Sequence, residues 1–457
     1  MRAWKSLLAV AGMAILLAPL AARADADQQI RNLEKQLGAM QEQVAELKEA
    51  GKAHEAAQGK AEHQTYVLAD AVEVLKNAIT IPEEIELTSH HGFAPAGSKV
   101  YSKEQGLSIG GYGEAVLRQP AKNTDGRVAR SDMQRMVLYL GYKFNDWIVL
   151  NTEIEFEHAS TSQKGSASVE FAYLDFFLHE NINARAGLLL VPMGIINEMH
   201  EPVSFFGVDR PEVDKRIIPT TWRENGAGIF GEFGDRIDYR IYAIGSLNGA
   251  GFSAKGFRGG RQKGSKALAE NWAFVGRTDI KPIDGLILGT SVFTGNTGQN
   301  QIIDSVDLPD ARATIWEIHA HYIWRQLELR SELAMSWLGN SAELTEALRA
   351  IGDIGEDEVV AKEMLGIYAE VGYDVMPFLL SDTDQQLLPF FRYEYVNTQR
   401  KVADGYTDNN KYKERIWAVG LNYKPIPQVV LKVDYRNFNP VSGDAYADVN
   451  FGIGFIF

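Results

Sequence analysis

Two hydrophobic periods divide the chain. In residues 28–50 the apolar positions Ile30, Leu33, Leu37, Met40, Val44 and Leu47 are spaced three, four, three, four, three. That is the a/d seam of a coiled coil over about three heptads. Gly51 interrupts the seam, and Leu68, Ala71, Leu75 and Ala78 resume a helical spacing before Pro82. From Gly106 onward a period of two takes over. It predicts strands at 106–118, 132–144, 147–157, 168–178, 182–192, 225–233, 236–247, 271–280, 286–295, 311–324, 326–338, 363–374, 387–397, 412–423, 428–438 and 447–457. Most are long enough to cross a bilayer when tilted, and their number is even. The pattern predicts an all-β fold: a 16-stranded antiparallel transmembrane β-barrel with an N-terminal α-helical coiled-coil segment.

The connections carry as much information as the strands. Asn145-Asp146, 179–181, Gly234-Asp235, 281–285, Arg325-Gln326 and 424–427 are short, whereas 119–131, 193–224, 248–270, 296–310 and 339–362 are long and polar. Tight turns at one end and long loops at the other are the outer-membrane pattern. Residues 375–386 depart from it, being too long for a turn.

Alternation also assigns faces. Val449, Phe451, Ile453, Phe455 and Phe457 share one side of the last strand. Leu327, Leu329, Leu333, Met335 and Trp337 share one side of another, with Glu328, Arg330 and Glu332 opposite. A charge facing lipid costs about 2–4 kcal/mol at the midplane, so the charged face is luminal, solvated by lumen water, and expected to be wet or polar. Trp147, Trp272, Trp316, Trp324, Trp337 and Tyr423 lie near strand ends, where interfacial aromatic girdles belong. The terminal Phe457 closes an amphipathic strand and reads as a signal for the barrel-assembly machinery.

The first residues read as an address. Arg2 and Lys5 precede an apolar run from Leu7 to Leu20, and Ala22-Arg23-Ala24 has the form that signal peptidase cuts. The expected organisation is a signal peptide at 1–24, a periplasmic coiled-coil region at 25–80, a linker at 81–105 and the barrel at 106–457. Three heptads are marginal alone. They fit either a lone linker helix or a parallel oligomeric coil, a trimer first among the options, with the barrels raising the local concentration. The chain has no cysteine, which excludes thiol chemistry and cysteine metal sites. Its net charge of −14 argues against nucleic acid as a partner.

Residues 171–195, FAYLDFFLHENINARAGLLLVPMGI, and the later IIPTTWRENGAGIFGEF resemble the phosphate-selective porin O and P family of outer-membrane porins. The resemblance covers the barrel and implies trimeric channels of sixteen strands. In the name-giving members, inward arginines and lysines form a ladder for phosphate. Here Arg185, Arg240, Arg277, Arg330, Arg392 and Arg436 occupy inward positions. Acidic residues interleave with them, among them Glu153, Glu155, Glu370 and Glu394, where an anion filter would want rings of one sign. The loop 193–224 is expected to fold inward as the constriction, with Asp209, Arg210, Glu212, Asp214, Lys215, Arg216 and Arg223 as its charged residues. The basic loop 248–270, with Lys255, Arg258, Arg261, Lys263 and Lys266, would either concentrate anions at the mouth or contact lipopolysaccharide phosphates.

No phosphate-cradling glycine loop or nucleophile constellation stands out, so no catalytic residue, cofactor or enzyme activity is expected. His319 and His321 share a strand face and are read as pore-lining rather than metal ligands. The expected function is passive diffusion of ions and small hydrophilic solutes, with an anion or phosphate preference left open. Two alternatives stand beside it. One is a sugar-specific porin, for which the inward Tyr112, Tyr139, Tyr173, Tyr242 and Tyr368 give no continuous track. The other is a structural tether, with the coil binding peptidoglycan or a periplasmic partner. Outer-membrane lipid and lipopolysaccharide are the expected surroundings and a homotrimer the expected assembly.

Overall fold

The computed structural model of the protein describes residues 33–40 and 88–457, except residue 163. The predicted signal peptide, most of the coiled-coil region and the start of the linker lie outside the described residues. Within the predicted coil, Leu33–Met40 is α-helical.

The barrel strands are β1 (Gly106–Lys122), β2 (Arg130–Lys143), β3 (Ile148–Glu157), β4 (Ser166–His179), β5 (Ile182–Leu190), β6 (Arg223–Phe233), β7 (Ile237–Gly245), β8 (Trp272–Ile283), β9 (Leu286–Asn296), β12 (Arg312–Trp324), β13 (Leu327–Leu338), β14 (Glu363–Tyr373), β15 (Gln386–Lys401), β16 (Lys413–Ile426), β17 (Val429–Pro440) and β18 (Tyr446–Ile456). The two-residue strands β10 (Ile302–Ile303) and β11 (Val306–Asp307) make a small ladder within one loop. Each of the sixteen barrel strands pairs antiparallel with its neighbours, and β1 pairs with β18 to close the ring. Closure leaves no unpaired sheet edge.

All sixteen strands coincide with the predicted segments. The largest differences are extensions: β1 runs on to Lys122 and β15 to Lys401. The apolar alternation stops there but backbone pairing does not. Lys401 still lies opposite Glu363, and their side chains pair at 2.8 Å.

The period of two sorts the side chains as expected. Ile241, Phe274, Leu288, Ile318, Ile367, Phe391, Leu431 and Phe451 are exposed on the outer wall, and Trp147, Trp272 and Trp324 are exposed near strand ends. No helix among the described residues is long and apolar enough to cross a membrane. The inward side chains are buried, and this differs from a water-filled tube. Three inserted segments fill much of the interior: residues 191–222, 246–271 and 88–105. Their Phe93, Val191, Ile217, Ile218, Trp222 and Phe257 belong to one apolar cluster with wall residues such as Tyr112, Phe171 and Phe293. The helix Ser341–Ala350 adds Leu344 and Leu348 to the same cluster from the loop between β13 and β14.

Candidate functional site

The loop 191–222 is the element that makes the interior distinctive, and the wall holds it by its backbone. Carboxylates of the far wall accept its N–H groups. Glu332 takes Ile195 at 2.9 Å, Asp434 takes Val208 at 2.6 Å, and Glu394 takes Glu212 and Val213. Cations of the wall donate to its carbonyls. Arg277 bonds Gly194, Arg392 bonds Phe206 and Asp209, and Lys432 bonds Phe205 at 2.9 Å. A buried peptide offers one donor and one acceptor per residue, and both need partners. Interleaved acids and bases on the wall supply both kinds.

The same geometry accounts for the six inward arginines. Arg185 grips Asp175 with two bonds of 2.6 and 2.8 Å. Arg240 and Arg277 share Asp279 and Glu198. Arg330 pairs with Glu328 and Glu370. Arg392 bonds Glu370 at 2.7 Å, with Glu394 at 3.9 Å. Arg436 reaches Asp209 and Glu212 at 3.0 and 3.2 Å. None of them is a bare positive charge. Glu153 faces His200 at 3.3 Å and Glu155 faces Arg135 at 3.6 Å. These groups are buried and paired, where the sequence suggested solvation by lumen water.

Arg223, expected in the loop, is the first residue of β6 and pairs with Glu170. The loop's remaining charges have separate fates. Burial alone would raise the pKa of Asp209, but Arg436 and Arg118 outweigh it and hold the carboxyl well below the usual range. Asp214, five residues on, is fully buried and neither oxygen has a hydrogen-bond partner. Burial, then Glu394, Glu317 and Glu370, push it well above the usual range. Arg216 bridges Glu212 and Glu414, both at 2.8 Å, and Lys215 is exposed. Arg210 donates a hydrogen bond to the carbonyl of His200.

The loop 248–270 folds inward. Phe252 and Phe257 stack at 4.5 Å and are buried, Thr398 bonds the carbonyl of Ala254, and Arg261 bonds the carbonyls of Pro219 and Thr221. The loop thereby packs on the loop 191–222, where lipopolysaccharide contact would have it face outward. Between the two loops lies a cavity of about 730 Å³ lined by Lys215, Arg216, Lys255, Arg258, Arg261 and Lys411 against Glu212 and Glu414. Arg216 takes both acids. One terminal nitrogen of Arg258, Nη1, is buried without a partner. Burial, then repulsion from Arg261 and Arg210, lowers the Arg258 pKa. An unpaired guanidinium in such surroundings favours a bound anion. Periodicity cannot reveal this cluster, because it lies on loops; the run of basic residues at 255–266 was the available signal.

His319 sits between Glu317 at 2.8 Å and Asp279 at 3.1 Å, and His321 pairs with Glu328. No group of three metal-ligating side chains converges among the described residues. Tyr112, Tyr139, Phe171 and Tyr173 form a chain of contacting rings on the β1–β4 wall, buried beneath inserted residues that include Phe93.

No family model matches the chain. An uncharacterized protein of Aquifex aeolicus (strain VF5) is 36% identical over 370 residues, which is 79% of this chain and 82% of that protein. Among solved structures, the outer membrane channel DcaP of Acinetobacter baumannii aligns with a TM-score of 0.49 at 12% identity, over 77% of this chain and 97% of its own. OmpF of Salmonella typhi, solved with daunomycin, aligns with a TM-score of 0.48 at 14% identity, over 78% and 99%.

Proposed function

The chain belongs to the family of that Aquifex aeolicus protein, and from its closed barrel and basic cavity we propose that it is an outer-membrane porin, a passive diffusion channel for ions and small hydrophilic solutes that prefers anions. The apolar outer wall supports the membrane assignment, since a ring of exposed Leu, Ile and Phe is costly in water and favourable in lipid. On this reading the tight turns face the periplasm and the long loops face outward. Lipid surrounds the wall, and lipopolysaccharide contacts fall to loop surfaces outside the cavity. The protein assembles as a homotrimer after insertion guided by the last strand and Phe457. The resemblance to phosphate-selective porins is in keeping with an anion preference, without making phosphate the substrate.

The observation that carries the anion reading is where charge is left over. The six inward arginines are neutralised by pairing, so a ladder of bare cations is absent from the wall. Basic groups without an acidic partner among the described residues gather in the cavity of Arg258, Arg261, Lys255 and Lys411 above the constriction, where they act on an entering ion. The test is the reversal potential in a planar bilayer under a salt gradient. The wild-type protein is expected to be anion-selective, and Arg258→Ser with Arg261→Ser is expected to shift the potential toward cations at similar conductance. A cation-selective wild type overturns the anion preference, and folded protein that does not conduct overturns the channel.

A further inference from the structure

Residues 88–105 enter the barrel from its turn end, ahead of β1. Phe93, Ala94, Ala96, Ser98 and Val100 are buried. Phe93 lies against Phe171 at 5.3 Å and Tyr173 at 5.6 Å, with the Arg185 guanidinium 4.8 Å from its ring. The Tyr101 hydroxyl donates to Asp175 at 2.7 Å, and Asn151 donates to the carbonyl of Gly97 at 2.9 Å. The backbone N–H groups of Ala96 and Gly97 both donate to Glu201 of the constriction loop, at 3.2 and 2.9 Å. With Gly97 against Tyr139 of β2 and Gly92 against Arg240 of β7, the segment spans inward faces from β2 to β7, and it is fastened to the 191–222 loop.

Its attachment differs in kind from that of the wall. It adds no strand to the barrel ladder, and its own structure is turns and the 3-10 segment Lys99–Ser102. The contacts that hold it run through side chains on several strands. At its exit stands Gly106, with φ +91° and open space where a side chain would be. Glycine there tolerates a conformation that other residues resist, so the chain can pivot at the first residue of β1 and leave the rest of the strand in place. The segment is also the covalent link between residues 1–87 and the barrel.

We propose that residues 92–101 are a displaceable strap that closes the turn end of the channel. With the strap seated, the Tyr112–Tyr139–Phe171–Tyr173 wall is covered. With it withdrawn toward the N-terminal side, that wall lines an open passage. Tension or binding at the N-terminal region thereby controls conduction. This rests on the barrel conducting, and the test separates the two.

The chain has no cysteine, so an engineered pair can form only one disulfide within it. A Cβ built on Gly141 lies 2.5 Å from Cβ of Val100, and a local shift of about 1 Å brings the pair to disulfide span. Single-channel recordings of Val100→Cys/Gly141→Cys are expected to show only the lower of two conductance levels when oxidised, and both levels after reduction. Phe93→Ala, which loosens the seat, is expected to lengthen the time in the upper level. Identical level distributions in the oxidised, reduced and Phe93→Ala proteins overturn the strap while leaving the channel standing. If no form conducts, the channel reading fails, and maleimide labelling of Val100→Cys judges the strap. Protection in the single variant and at least a tenfold faster reaction when Phe93→Ala is added supports it. Equal protection in both overturns it.

Discussion

Arg185 and Asp175 stand directly across the β4–β5 hairpin from each other, both nearly inaccessible to water. Removing one partner of a buried pair strands the other charge, which costs about 3–5 kcal/mol, whereas apolar replacement of both is often near neutral. Asp175→Ala is therefore expected to lower barrel stability by about 3–5 kcal/mol in urea titrations in micelles, and Asp175→Leu/Arg185→Met to lose much less. If the single and double variants are equally destabilised, the pair is solvated rather than buried. The pairing had a signal in the sequence. A hairpin that turns near 180–181 brings residue 175 opposite 185, and the same logic sets Glu370 opposite Arg392. Reading the arginines strand by strand hid these cross-strand partners, and it could not show that Glu198, Asp209 and Glu212 arrive from the 191–222 loop.

At the scale of elements, the proposed constriction depends on where the tip of the 191–222 loop rests. Val213 and Ile217 lie over Gly366 of β14, where a Cβ would come within 2.8 Å of both side chains. Gly366→Val is expected to lift the tip without breaking the wall, giving a larger single-channel conductance from a barrel of unchanged strand content by circular dichroism. Unchanged conductance would mean that the tip does not limit the passage. Asp214 is expected to make the tip's docking depend on pH. It faces Glu317, Glu332, Tyr368, Glu370, Glu394 and Arg392. Its raised pKa means the docked loop binds a proton more tightly than the released loop does. The stabilisation is full below the ordinary carboxylate pKa of about 3.9 and is lost as pH rises toward the raised value. Hydrogen exchange of the amides at 213–218 should therefore show stronger protection at acidic than at neutral pH, after correction for intrinsic rates. Asp214→Asn should flatten that dependence, and a wild-type protection that does not change with pH removes this role.

For the whole molecule, closure is decided at one seam. Gly113 of β1 pairs with Phe455 of β18, and Phe457 exchanges backbone bonds of 3.0 and 2.9 Å with Gly111. The rings of Phe455 and Phe457 lie over these glycines on the outer wall, where a Cβ on Gly111 or Gly113 would meet them within 3 Å. An aromatic ring laid over a cross-strand glycine covers backbone that the glycine leaves bare. Phe457→Ala is expected to cost about 1 kcal/mol and to lower the yield of the folded, heat-modifiable form in gel assays. An undiminished yield would confine the residue to packing and remove it from assembly.

The sequence by itself determined the strand number, the facing of each strand and the alternation of short and long connections. These follow from local rules: a period of two, turn chemistry, and the cost of charge against lipid. The tertiary structure decided what the interior does. Whether Glu394 is a pore charge or a peg for the amides of Glu212 and Val213 depends on a loop about 180 residues away in sequence. Residues 88–105 look like a linker in sequence because they lack periodicity. Inside the barrel their irregular backbone is held by Glu201 and Asn151, two side chains that no local pattern connects to them. Periodicity reports which side of a wall a residue faces. What meets it there depends on the closed ring, which brings distant segments within bonding distance and leaves Arg258 without an anionic partner.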